Sequence, residues 1–243
     1  DEFSVVLRQN LTGIAVITET WLTEEISTST VDVPGYVCHR RDRADGRRGG
    51  GVAVYVRNDL PCTRLSSYEN QQLETIWLLY RSPRMPRSVS HIAIAAIYYP
   101  GPDVDGRFMV SHLVDSLDRL MIDHPHAGVI LLGDFNKLHD ATLLSYPLKQ
   151  VVRSATRGTA TLDKIYTNIK QWYKQPFSIP PIGRSDHNLV VMQSASKDPR
   201  PPSSTTTSVV QRLDPNAKPF IQLALQRINW SSLYRLENVD KIR

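Results

Sequence analysis

GVILLGDFN (128–136) runs from an apolar core directly into a carboxylate and an amide. GVILLG (128–133) is the cleanest buried strand in the sequence. In extended chain Asp134 and Asn136, two residues apart, would project the same way. One could take a proton from a water or orient it while the other holds a phosphate oxygen. A turn built from Gly, Asp and Asn is the alternative reading of the same string. Upstream, GRFMVSHLVDSLDRLMID (106–123) carries Phe108, Leu113, Leu117, Leu120 and Met121 at helical spacing, with Asp105 placed to cap it. LETIWLLYR (73–81) and HIAIAAIYY (91–99) read as strands joined by the proline-containing turn SPRMPRS (82–88). YVCHR (36–40), GVAVYV (51–56), IAVIT (14–18) and LVVMQ (189–193) are further strands, and residues 3–11 read as a short helix. Runs of strands with intervening helices indicate a layered α/β or α+β core rather than a bundle.

Three more strings repeat the pattern of GDFN: TETW (18–21), LDKIYTN (162–168) and SDHN (185–188). Each sets an acidic or imidazole side chain directly after an apolar run that reads as a strand. Together they offer Glu19, Asp134, Asn136, Asp163, Asp186 and His187, oxygen ligands for a hard cation plus one histidine. That inventory suits Mg²⁺-assisted attack on a phosphate ester. Glu19 would sit at the carboxyl end of its strand, where it could hold a cation, or else serve as a capping or surface glutamate. Asp163 lies within an apolar string, a costly place for a carboxylate without a partner. His187 is the candidate partner, since a carboxylate fixes the tautomer and orientation of an imidazole. Asp186 is then left to face the metal or the nucleophile. Of the other six histidines, only His124 and His126, flanking Pro125, form a rival metal pair. The motifs G-x-S-x-G, H-E-x-x-H and G-x-x-x-x-G-K-[ST] are absent.

The 243 residues, 41% of them hydrophobic, can bury one sizeable core. No apolar run approaches the ~20 residues a spanning helix needs, and no secretion signal is evident, so an intracellular setting is expected. Cys38 and Cys62 make no disulfide framework and no metal spacing, which favours a reducing compartment. A formal net charge of +5 is mild. Its distribution says more: HRRDRADGRR (39–48) places Arg40, Arg41, Arg43, Arg47 and Arg48 in one loop, followed by three glycines. Such a loop could lie along a phosphate backbone. A solvated hairpin with Asp42, Asp45 and Asp59 as counter-charges is the other reading. KDPRPPSSTTTS (197–208) opens an exposed linker, taken as 197–216. Beyond it, 217–243 is expected to be a helical segment, with one amphipathic helix over 217–230.

The ordered set Glu, Tyr-x-Pro, GDFN, LD, SDH resembles the endonuclease/exonuclease/phosphatase superfamily. Within it, ITETWL (17–22), RRGGGVAVYVR (47–57), IYYPG (97–101), ATRGTATLDKIYTN (155–168) and SDHNLVV (185–191) are most similar to the apurinic-type endonuclease domain of non-LTR (LINE-type) retrotransposon polyproteins. The resemblance covers roughly residues 11–194, inside a domain taken as 1–196. It implies a four-layered α/β sandwich, two mixed sheets face to face with helices outside. It also implies roles: Glu19 and Asp186 toward a Mg²⁺ (or Mn²⁺) ion, Tyr98 on the scissile phosphate, Asp134 with Asn136 on the water, and Asp163 paired with His187. The implied partner is target DNA, nicked in the nucleus to leave a 3′-hydroxyl primer, with a reverse transcriptase domain in the same polyprotein and the nuclease itself monomeric. The family opens with a strand bearing an asparagine of the metal site. Here the chain starts within what reads as the following helix, so that first strand is expected to be missing, and Asn10 is not placed to replace it. Two other expectations stand beside this one. The first is a superfamily phosphatase or phosphodiesterase acting on a phosphoinositide, sphingolipid or RNA tail; the second is an inactive fragment that binds nucleic acid.

Overall fold

Alternation within the strands builds the layers. In β5 (Glu74–Tyr80), Ile76 and Leu78 point one way while Trp77 points the other. In β6 (His91–Tyr98), Ile92, Ile94 and Ala96 share the first face, and Ala93, Ala95 and Ile97 the second. Both faces are apolar, so the sheet holding these strands must be covered on both sides. That sheet has six strands, adding β4 (Cys62–Arg64), β7 (Ala127–Asp134), β8 (Lys149–Gln150) and β9 (Asp163–Thr167), in the order β4-β5-β6-β7-β9-β8. β6 and β7 are parallel and every other pair is antiparallel, so the sheet is mixed.

The helix α2 (Gly106–Asp123), which connects the parallel pair, covers one face with Met109, Leu113, Leu117 and Leu120. Asp105 caps it by accepting from the Arg107 amide. The other face meets a three-stranded antiparallel sheet of β1 (Ile14–Thr18), β3 (Val52–Arg57) and β2 (Tyr36–Arg41), in the order β1-β3-β2. Val52, Val54 and Val56 of β3 fill the space between the sheets. Ala53 and Tyr55 turn outward to meet Leu7 and Phe3 of helix α1 (Glu2–Gln9). The result is the expected sandwich of four layers: α1, a sheet, a sheet and α2.

Beside the three-stranded sheet, β10 (Phe177–Ile179) and β11 (Leu189–Val191) form an antiparallel pair. Val190 and Met192 pack on the same apolar cluster as Ile14 and Val16. The second layer therefore comes in two antiparallel pieces. Among the described residues, β1 pairs only with β3 and β11 only with β10, so each keeps an open edge. Asn10 directly follows α1, its Nδ2 donating to the Val6 carbonyl at 2.9 Å. The strands β4, β8 and β10, of two or three residues each, are too short to show a period in the sequence.

This computed structural model describes residues 2–82, 85, 88–101, 104–195 and 225–226. The chain divides into two units, Asp1–Lys197 and Asp198–Arg243. Apart from Leu225 and Gln226, which are helical, the linker and the helix expected after 197 lie outside the described residues, as does much of the turn expected over 82–88. No helix among the described residues is long and apolar enough to cross a membrane.

Candidate active site

One row of side chains crosses the six-stranded sheet at its edge. By register, Glu74 of β5 lies beside Tyr98 of β6, Tyr98 beside Asp134 of β7, and Asp134 beside Asp163 of β9. All four share the face turned toward the second layer, since Ile76, Ala96, Leu132 and Ile165, two residues further in, line that cluster. Asp134 ends its strand, but Asp163 begins one. The expectation that each acid follows an apolar run is thus corrected for Asp163, and also for His187, which precedes β11. In an antiparallel pair the first residue of one strand meets the last of its neighbour, so both arrangements reach the same rim.

Gly133 fixes the approach of β7 to β6. Its φ is +141°, and a Cβ there would run into the carbonyl oxygen of Ile97. Past Asp134 the chain turns sharply, and Asn136 takes a left-handed φ of +44°. Asn136 therefore does not project alongside Asp134 from extended backbone, as its spacing suggested. It folds back: its amide donates to Asp134 Oδ1 and its Nδ2 to Oδ2, both at 2.9 Å. The same Nδ2 donates to the Tyr99 carbonyl at 2.8 Å. Asn136 orients the carboxylate and has no amide hydrogen left for a phosphate.

Asp163 Oδ2 and His187 Nδ1 lie 2.7 Å apart. One ligand atom each from Asp134, Asp163 and His187 lie within 4.8 Å of one another. Asp134 is only 3% exposed. Burial first, and then the charges of Asp163 and Glu19, push its carboxyl from the ordinary 3.8 up to about 6, against hydrogen bonding from Asn136 and the His187 charge. A buried carboxylate beside a second carboxylate and an imidazole is a donor set that suits a hard divalent cation, whose charge would relieve the repulsion.

Glu19 stands at the rim rather than within that trio. It is exposed, in a left-handed φ of +51°, and its Oε1 accepts from the Tyr98 hydroxyl at 2.8 Å. Burial, followed by that bond to Glu19, raises the Tyr98 phenol above its ordinary range. Asp186, expected on the metal, is exposed (66%) and ion-paired to Arg157 at 2.6 Å. It does not join the trio, because the backbone that turns His187 inward turns its neighbour outward.

The arginine loop is corrected in part. Arg40 forks onto Asp42 and onto the Ile26 and Thr23 carbonyls. Arg41 donates to the Asn70 carbonyl at 2.6 Å. Arg43, half-buried, pairs with Glu74 at 2.7 Å, near the Tyr98 ring. These three hold the loop in place. Only Arg47 and Arg48 are exposed, with Arg47 paired to Asp45 and Arg48 lying over Trp21.

Glu74 and Thr156 were not found from the sequence. Glu74 also accepts from the Gly51 amide and so anchors the loop to the site. Thr156, fully buried, accepts from the Leu162 and Asp163 amides at 3.0 and 3.1 Å through Oγ1, which sets the start of β9. Thr156→Val keeps the shape but strands two amides. It should cost about 2 kcal/mol by denaturant unfolding. A loss below roughly 0.5 kcal/mol would mean that water takes over the acceptor role.

The model of the Endonuclease/Exonuclease/phosphatase family matches residues 4–187, about three-quarters of the chain. The chain belongs to this family. The family match and the layered sheets together give it the fold of phosphodiester-acting hydrolases. Among solved structures, it is similar to the endonuclease domain of TRAS1, a telomere-specific non-LTR retrotransposon, at 14% identity and a TM-score of 0.60, over 81% of this chain and 92% of that one. It is similar to the AP endonuclease LMAP from Leishmania major at 14% identity and a TM-score of 0.59, over 80% and 82%. It is also similar to the 3′ phosphatase NExo from Neisseria, solved with a product DNA hairpin, at 15% identity and 0.54, over 79% and 92%. At these identities the likeness is one of fold. A comparison with curated protein sequences gives no match.

Proposed function

We propose that the chain is a divalent-metal-dependent DNA endonuclease, the nicking domain of a non-LTR retrotransposon protein. The observation that carries this reading is the row Tyr98–Asp134–Asp163 with His187 bonded to its end, all on one rim. The resemblance of the local sequence to LINE-type endonucleases and the fold shared with the TRAS1 domain favour DNA over other phosphodiesters. Asp134 and Asp163, with Glu19 at the rim, would hold Mg²⁺ or Mn²⁺, which when bound supplies positive charge to the phosphate.

The remaining work falls to the chain's own residues. Asp134, its carboxylate oriented by Asn136, lies beside the attacking water and takes its proton. The water oxygen bonds to phosphorus as the P–O3′ bond breaks in line, and the departing oxygen takes up a proton from solvent to become a 3′-hydroxyl. His187 donates Nδ1–H to Asp163 and, as the imidazolium, also offers Nε2–H to the phosphate as charge builds there. Tyr98, fixed by Glu19, lines the same phosphate pocket. Arg47 and Arg48, exposed on the loop, would meet the DNA backbone, with Arg40, Arg41 and Arg43 supporting that loop. In this reading the nuclease works as a monomer in the nucleus. Residues 197–216 are a linker, and 217–243 lead toward a reverse transcriptase domain of the same polyprotein.

Supercoiled plasmid tests the proposal. With Mg²⁺ the purified chain should convert it to open circles. EDTA should abolish the conversion, and His187→Ala should reduce it to background. A folded chain that leaves the plasmid supercoiled in Mg²⁺ and in Mn²⁺ would overturn the reading.

A further inference from the structure

Trp21 stands two residues beyond Glu19 and is 51% exposed, an unusual position for an indole. Its φ is +56°, and that of Glu19 is +51°. Non-glycine residues seldom adopt this conformation, and it persists only where the surroundings enforce it. Here the glycines 49–51, all at positive φ, supply the enforcement. The Trp21 amide donates to the Gly50 carbonyl at 2.9 Å, and the Thr20 amide to Gly51 at 3.4 Å. Gly49 lies flush against the ring, since a Cβ there would touch Cε2 at 3.4 Å. The indole N–H donates to Glu19 Oε2 at 3.2 Å, while Oε1 of the same carboxylate holds Tyr98. The Arg48 guanidinium carbon lies 5.2 Å from the ring centre. A large aromatic surface is thus presented to solvent, one side chain removed from the catalytic row and with a cation beside it. Packing alone does not require this, because half of the ring's surface contributes nothing to the core.

We infer that Trp21, with Arg48 alongside, is a stacking platform for an unstacked nucleobase next to the scissile phosphate. This rests on the nuclease reading above and adds a substrate preference to it. Every base has a π face, so an indole selects by stacking rather than by sequence. A base inside a duplex already has both faces covered. The platform therefore favours a strand whose base is unpaired, extruded or terminal at the cut.

The test is equilibrium binding by fluorescence anisotropy, with the full chain in EDTA so that no hydrolysis intervenes. Two single-stranded probes of equal length are compared, an oligodeoxythymidine and its wholly abasic counterpart, which carry the same phosphates. The wild type should prefer the base-bearing probe by about tenfold. Trp21→Leu should lose most of that preference and bind the abasic probe as before, whereas Trp21→Phe should keep most of it. Equal weakening on both probes, or a wild type indifferent to bases, would overturn the platform. Plasmid nicking is read separately. A chain that nicks but shows no base preference dependent on Trp21 loses this inference alone. A chain with the preference that never nicks retains the platform and loses the nuclease reading.

Discussion

Asp134→Asn should unfold about 4–8 °C above the wild type at neutral pH in EDTA, while losing plasmid nicking. The gain follows from the cost of keeping a charge in a buried, acid-rich position. The Asp134 carboxyl moves from 3.8 to about 6 on folding, so the native state holds the proton more tightly than the unfolded chain does. Below that window the group is neutral in both states and costs nothing. As pH rises through it, stability falls, and above it the full cost stands, about 3 kcal/mol at most. Asparagine carries no charge at any pH. Its oxygen can still accept from the Asn136 amide, but its NH₂ opposes Asn136 Nδ2, so part of the gain is forfeited and about 2 kcal/mol remains. Thermal midpoints across the window should fall for the wild type and change less for the variant. Mg²⁺ should raise the wild-type midpoint in proportion to its binding and leave Asp134→Asn nearly unmoved. A variant that unfolds below the wild type at neutral pH without metal would show that Asp134 is not strained by its charge.

This strain is also why the site was half legible in the sequence. Buried strands announce themselves by composition, so VAVYV, HIAIAAIY and GVILLG gave the core and the layers. The acids stood out because carboxylates are costly beside such runs. What one chain segment cannot show is register. That Glu74 joins Tyr98, Asp134 and Asp163 follows only from which residues pair across β5, β6, β7 and β9. The roles of Asn136 and Asp186 depended on local backbone turns. A φ of +44° sends Asn136 back onto Asp134, and the loop before β11 turns Asp186 out to Arg157. The arginine run misled for a related reason. Guanidinium groups bind carbonyls and carboxylates of their own chain as readily as phosphates, and Arg40, Arg41 and Arg43 do so.

His187→Ala and Asp163→Ala should each lower turnover on a labelled DNA strand by ~10²–10⁴, and the double variant should fall no further than the worse single. The 2.7 Å contact between Asp163 Oδ2 and His187 Nδ1 makes the two act as one device. Without Asp163 the imidazole loses the partner that fixes its tautomer and aims Nε2. Without His187 the carboxylate has nothing to orient. Neither change should unfold the chain, because Thr156 holds the Asp163 amide whatever its side chain. The cation concentration giving half-maximal rate separates two roles for Asp163. If it serves only to orient His187, both singles should keep the wild-type value. If it also holds the cation, Asp163→Ala should need more metal while His187→Ala does not. Losses that multiply in the double variant would mean that the two residues act independently, and the paired mechanism would fall.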